Sequence, residues 1–417
     1  MKLRVLNSGS RFLLTVTVCC LLYAGSLAQT GYQFSHIDFT QGLSNNQVNV
    51  IRKDSRGFMW LGTMSGLNRY DGYQFKIFRH NISDSLSISD DFISGIAEDP
   101  NKKLWIGTRN GYNIYDPETE KFSRNIAAYL NLLSLPANGF SNVIQTQNGF
   151  WLLYPGAGVY HIGPDKKPAF LHPVPGDARS ISSDPVADIR EDSKGFIWMI
   201  HQNGLLEKLD SRNFQVVFRT DMLKNRNAGR AILYHLFIDR QDDIWFYSVG
   251  SLEGAFYYEP ANDRLVHLSK TGSSGGLNND LVNGIVEDDK GFIWIGTDHG
   301  GVNIFNKNEG SVRFVTNRAD DNKSLSQNCV TTLYRDQQGG IWVGTYKGGI
   351  SYYHEGLDRF PWYRHQPSVP GSLPFDDVNR FIEDGTGNLW IGTNGGGLIY
   401  FDRKKNSFRQ FLHNPSD

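Results

Sequence analysis

Turn-forming residues from Leu277 lead into an apolar, β-rich run that ends at Asp288. Asp288–Gly291 reads as a turn: an Asp at the first position accepts a backbone N–H two residues on, and Gly permits the left-handed fourth position. Phe292–Thr297 then alternates apolar and polar as a strand does. Asp298–Gly301 turns again, Val302–Phe305 forms a third strand, and Val312–Phe314 opens a fourth after a polar turn. The pattern predicts four short antiparallel strands.

This unit recurs eight times, each copy anchored on a tryptophan: Trp60, Trp105, Trp151, Trp198, Trp245, Trp294, Trp342 and Trp390. The spacings are 45, 46, 47, 47, 49, 48 and 48 residues. A fixed period of that length marks a repeat architecture. Four strands per period make one blade of an all-β propeller. An Asp stands six residues before the anchor in seven of the eight copies (Asp54, Asp99, Asp192, Asp239, Asp288, Asp336 and Asp384). Its repetition argues for a turn-former, since a ring has no use for one catalytic group in every blade. The tryptophans are expected between blades, where large aromatics bury most area.

The 417 residues carry a formal net charge of −1, which gives no electrostatic case for nucleic acid or an anionic membrane surface. Lys2, Arg4 and Arg11 precede an apolar run from Phe12 to Leu22 and the small residues Ser26 and Ala28. That order predicts a signal peptide over residues 1–28, and export to the periplasm. Beyond it only Cys329 remains of the three cysteines, so an intrachain disulfide is excluded and an ordinary core must supply stability. No later run of about 20 apolar residues is present to span a bilayer.

In an up-and-down blade, the loop before the first strand and the loop between the second and third share one end. Their variable residues ring the mouth of the central channel, the default place for a pocket. Five copies keep a Gly-Thr pair after the anchor, as in Gly296-Thr297, whereas three adjacent copies have Leu153-Tyr154, Ile200-His201 and Tyr247-Ser248. Neighbouring departures suggest either a local function or drift. The ligand-binding candidates on this face are Arg109, Asn110, Tyr154, His201, Gln202, Tyr247, Asp298, His299, Tyr346 and Lys347. Planar hydrogen-bonding groups beside aromatic rings suit a carbohydrate. No catalytic residue, metal site or cofactor is expected: the acidic residues lie mostly at the repeated turn on the opposite end, and neither His-Glu-Xaa-Xaa-His nor Gly-Xaa-Ser-Xaa-Gly occurs.

The unit Leu-Ser-Xaa-Asn followed by Asp-Xaa-Xaa-Gly-Xaa-Xaa-Trp-Ile-Gly-Thr, repeated over residues 31–417, resembles the two-component regulator propeller repeat. The resemblance implies the periplasmic sensor of a hybrid two-component system, binding an oligosaccharide, working as a homodimer when full-length and regulating polysaccharide-utilisation genes. In that family two seven-bladed propellers precede a membrane helix, a histidine kinase, a receiver and a DNA-binding domain; none of these later parts is found here, so no enzyme activity and no membrane contact are expected of these residues. The alternatives are a secreted propeller enzyme acting on glycans, hydrolase or lyase, and a protein-binding scaffold. Tyr32–Phe39 looks like a fourth strand without its own blade. Seven closing blades would place one propeller over 29–358, with 359–417 an eighth repeat beginning a second; eight closing blades would make that repeat part of the ring. The family pattern favours seven.

Overall fold

The computed structural model describes residues 32–183, 185–223, 232–271, 276–356, 363–367 and 371–414. The signal peptide expected over residues 1–28 lies outside them. The described residues hold eight four-stranded antiparallel sheets. Blades one to six run in simple chain order, over residues 48–78, 93–123, 142–171, 186–220, 234–268 and 282–315. Blade seven is different. Its three strands, within 330–353, are completed by Ser35–Ile37 from the start of the described chain, with Ser35 opposite Tyr352 and Ile37 opposite Ile350. One sheet is thereby built from both ends of the ring.

The chain divides into two compact units, the seven blades and the eighth sheet. Within the first, each blade packs on the next and blade seven packs on blade one. Val48, Ile51 and Leu61 of blade one share a core with Trp342 and Ile350 of blade seven. Six anchor tryptophans are fully buried; five sit in cores formed between adjacent blades, and Trp294 packs on Phe34 and Tyr353. A Cβ on Gly296 would stand 2.7 Å from Val330 of the next blade, so the glycine of the Gly-Thr pair is there to let blades approach.

The repeated Asp does more than turn the chain. Asp288 Oδ1 accepts the amides of Lys290 and Phe292, and Oδ2 accepts the indole N–H of Trp294 at 2.9 Å. Asp54, Asp99, Asp192, Asp239 and Asp336 repeat the indole bond. Blade three lacks the Asp, and Thr146 accepts from Trp151 instead. A buried indole N–H thus always finds an acceptor, as burial requires.

A second motif ties the loop before the first strand to its blade in blades one and two. Ser44 Oγ lies 2.8 Å from Thr63 Oγ1, and Asn68 accepts the Ser44 amide while donating to its hydroxyl. Blade two repeats this with Ser89, Thr108 and Asn113.

The eighth sheet, within 378–411, has its own small core of Leu373, Ile391, Ile399 and Phe401. Its first strand, Val378–Glu383, is exposed throughout, with Phe381 at 72% and Ile382 at 69%.

Candidate functional site

At the expected end of the ring, blades seven and one form a cavity of about 520 Å³. Tyr346 and Lys347 line it from one side, Met64 and the loop Ser44–Gln47 from the other. The loops are set by backbone bonds: the Tyr346 amide donates to Cys329 at 3.0 Å, and the Met64 amide to Gln47 at 3.2 Å. Gln327 fixes the Lys347 amide at 2.7 Å, and the ammonium lies 5.5 Å from the Tyr346 ring. Next along the rim, the Arg109 guanidinium stacks 4.4 Å over Phe92 and reaches Met64 Sδ, while Asn110 donates to the Ser89 carbonyl. Aromatic faces, cations and side-chain amides therefore meet here, and a sugar ring can stack and hydrogen-bond on them.

Asp298 and His299 stand on blade six, beside Cys329 of blade seven. The imidazole Nδ1 lies 2.8 Å from Asp298 Oδ1. Burial, then the Asp298 carboxylate, pushes the Cys329 thiol up to about 11. Gln202 is half-buried, its backbone tied to Pro185 and Ile232. Tyr247 stacks on His235, ring centroids 5.4 Å apart, with its hydroxyl pKa raised by burial and by Asp188.

Two expectations need correction. Tyr154 is in the core between blades two and three, its hydroxyl donating to the Pro136 carbonyl at 2.8 Å. A helical insertion, Ile126–Leu132, follows blade two and supplies Leu130 to that same core, so the ring turns inward. His201 is also fully buried. It occupies the place of Thr63 in blade one, with Glu207 in the place of Asn68, and its Nε2 lies 2.7 Å from Glu207. Glu207 in turn accepts the Ser182 amide and Arg219 Nε. Burial alone would raise the Glu207 pKa; His201 and Arg219 together outweigh it and hold the carboxyl below its ordinary value. The departures from Gly-Thr in blades three and four are internal repacking, which withdraws both side chains from any ligand.

Sequence reasoning missed a cavity of about 700 Å³ beside blade four. Ser182, Asn203, Arg219 and Asp221 are among its walls. Glu207 standing where other copies have Asn was the available signal for it, since a buried carboxylate calls for a cation such as Arg219.

The model of the two component regulator propeller family matches residues 42–65, 87–110, 276–299, 324–347 and 372–395. The chain carries two-component regulator propeller repeats. The matched stretches are the five that keep Gly-Thr, and the unmatched blades three to five are those that depart from it. A stretch of 56 residues, 13% of the chain, is 50% identical to part of histidine kinase P4 of Formosa agariphila, covering 4% of that protein. An extracellular domain ascribed to a hybrid two-component system of B. thetaiotaomicron superposes with a TM-score of 0.65 at 24% identity, over 91% of this chain and 49% of that one. Another extracellular domain from B. thetaiotaomicron, ascribed to a one-component system, gives a TM-score of 0.54 at 18% identity, over 91% and 54%. The regulator propeller spans about half the length of these domains, and likeness at such identities shows the fold.

Proposed function

We propose that this regulator propeller is the periplasmic, oligosaccharide-sensing part of a hybrid two-component system that controls polysaccharide-utilisation genes. The observation that carries the reading is the mouth cavity between blades seven and one, where Tyr346 and Lys347 present a stacking face and a cation beside Asn45 and Gln47, with Arg109 next along the rim. The family match and the kinase relative support placing it in signal transduction. In this reading the chain recognises and does not catalyse. Residues 1–28 direct its export, residues 29–358 are the sensing ring, and residues 359–417 open a second ring whose next blade covers the exposed strand Val378–Glu383. The signal passes as a shift in packing, in a homodimer of the full-length sensor, by as much as the ligand's affinity differs between two states.

A thermal-shift screen of the purified chain against defined oligosaccharides tests this, because a ligand that binds only the folded state raises the melting temperature. One glycan family should stabilise the protein, and Tyr346→Ala with Lys347→Ala should remove the shift. If no glycan stabilises the chain, or the shift survives both substitutions, the mouth is not the sensing site. Turnover of the stabilising glycan would favour an enzyme instead.

A further inference from the structure

Cys329 enters the ring from the loop before blade seven, thirty positions beyond His299, yet the two meet at Asp298. The thiol Sγ lies 2.6 Å from Asp298 Oδ1, and His299 Nδ1 lies 2.8 Å from the same oxygen. One donor atom from each of the three residues falls within 4.8 Å of the other two. They are a thiol, an imidazole and a carboxylate, three different metal-ligand classes, contributed by two adjacent blades. Zinc takes sulfur at about 2.3 Å, nitrogen at about 2.0–2.1 Å and oxygen at about 2.0–2.2 Å. Tetrahedral coordination at those lengths separates donors by roughly 3.3–3.6 Å, which a small spreading of this cluster supplies. His299 is free to make it, with its side chain 78% exposed.

Other junctions of the ring do not offer the same chemistry. The position of Cys329 is held by Gln47 in blade one, Phe92 in blade two and Leu281 in blade six. The positions of Asp298 and His299 are held by Met64 and Ser65, Arg109 and Asn110, and Tyr346 and Lys347. Only between blades six and seven do metal-binding residue types stand on both sides of the junction.

We infer that Asp298, His299 and Cys329 form a three-residue site for a zinc-class divalent cation at the rim of the channel, its fourth position open to solvent. Thiolate with imidazole selects zinc over magnesium or calcium, which prefer oxygen alone. The open position gives the face a Lewis-acidic point beside the mouth cavity, able to take an oxygen of a ligand or water. The inference is independent of what the mouth binds.

Cobalt(II) reports such a site directly. Titrated into the full chain, free of any histidine tag, it should bind at one equivalent with tetrahedral d–d bands and a thiolate-to-cobalt charge-transfer band, and zinc should displace it. Cys329→Ser should abolish the charge-transfer band, and His299→Ala should weaken binding at least tenfold while leaving the metal-free melting temperature in place, because its side chain is exposed. Absence of binding, a spectrum without the charge-transfer band, or affinity unchanged from the parent in both variants would overturn the inference.

Discussion

Asp288 serves the turn and the core with one carboxylate. Replacing it by Ala frees two backbone amides and leaves the fully buried Trp294 indole without its acceptor. An orphaned buried donor costs about 1–3 kcal/mol, so Asp288→Ala should lower unfolding stability by about 3 kcal/mol. Its neighbour Asp289 is 54% exposed and only pairs with Arg240 and Arg335. Surface pairs contribute about 0–1 kcal/mol, so Asp289→Ala should lie within that range in the same denaturant titration. Equal effects would mean that the indole bond contributes nothing. The turn was legible in the sequence from the Asp-Gly spacing. The indole bond was not, because a constant Asp-to-Trp distance states that two residues keep company without stating which atoms touch. His161 gives a second test at this scale. It packs 4.3 Å from the Trp151 ring and 5.1 Å from Phe214, and burial, partly offset by Asp165, brings it down to about 4 from 6.5. Between those values the unfolded chain binds the proton and the folded one does not. The stability this contributes is therefore whole above pH 6.5 and is lost as pH falls toward 4. His161→Phe should show a flatter melting-temperature profile across that window than the parent, and an unchanged slope would place the acid sensitivity elsewhere.

A blade is held by small polar networks that change together. In blade one Ser44, Thr63 and Asn68 are neutral; in blade four Ser182, His201 and Glu207 occupy the same places, with Arg219 added. The strands and their order were readable from period and alternation, because burial on one side of a strand leaves that signature in the residues themselves. Reading His201 as a ligand residue failed for a reason of the same kind. Its meaning depends on Glu207, six residues on in a different strand, and one unusual residue in a loop pattern looks the same whether it faces solvent or a buried partner. Tyr154 misled likewise, since the insertion that buries it follows no repeat. The coupling can be measured. His201→Thr alone leaves a buried carboxylate with Arg219 and the Ser182 amide but without the imidazole, and Glu207→Asn alone leaves a buried imidazole without its acid. Contacting residues show coupling of about 0.5–3 kcal/mol. The double variant, which restores the composition of blade one, should therefore be more stable than the sum of the singles by about 2 kcal/mol. Additive losses in a denaturation cycle would show the pair to be independent.

The ring as a whole depends on three residues at its start. Ser35–Ile37 give blade seven its fourth strand, Phe34 is buried against Trp294 and Tyr353, and the Phe34 amide donates to the Lys323 carbonyl. Closure buries the sheet faces that the end blades of an open row would present. Losing the strand exposes the edge of blade seven together with one large aromatic, and burying a Phe side chain alone is worth about 1.5–3 kcal/mol. A chain beginning at Asp38 should therefore melt well below one beginning at Tyr32, lose about 3–5 kcal/mol with its ladder bonds included, and associate through the open sheet in sedimentation velocity. Removing the other end makes the contrast. The eighth sheet has a core of its own, and the seven-blade cores are complete without it. A chain ending at Glu355 should keep the main unfolding transition of the parent and lose only the exposed apolar strand that holds Phe381 and Ile382. If this second truncation lowers the transition as much as the first, the seven blades do not form a self-sufficient ring. If only the first does, closure by the N-terminal strand is what makes the repeats one cooperative body, and a ligand at the mouth between blades seven and one binds on the seam where the ring is joined.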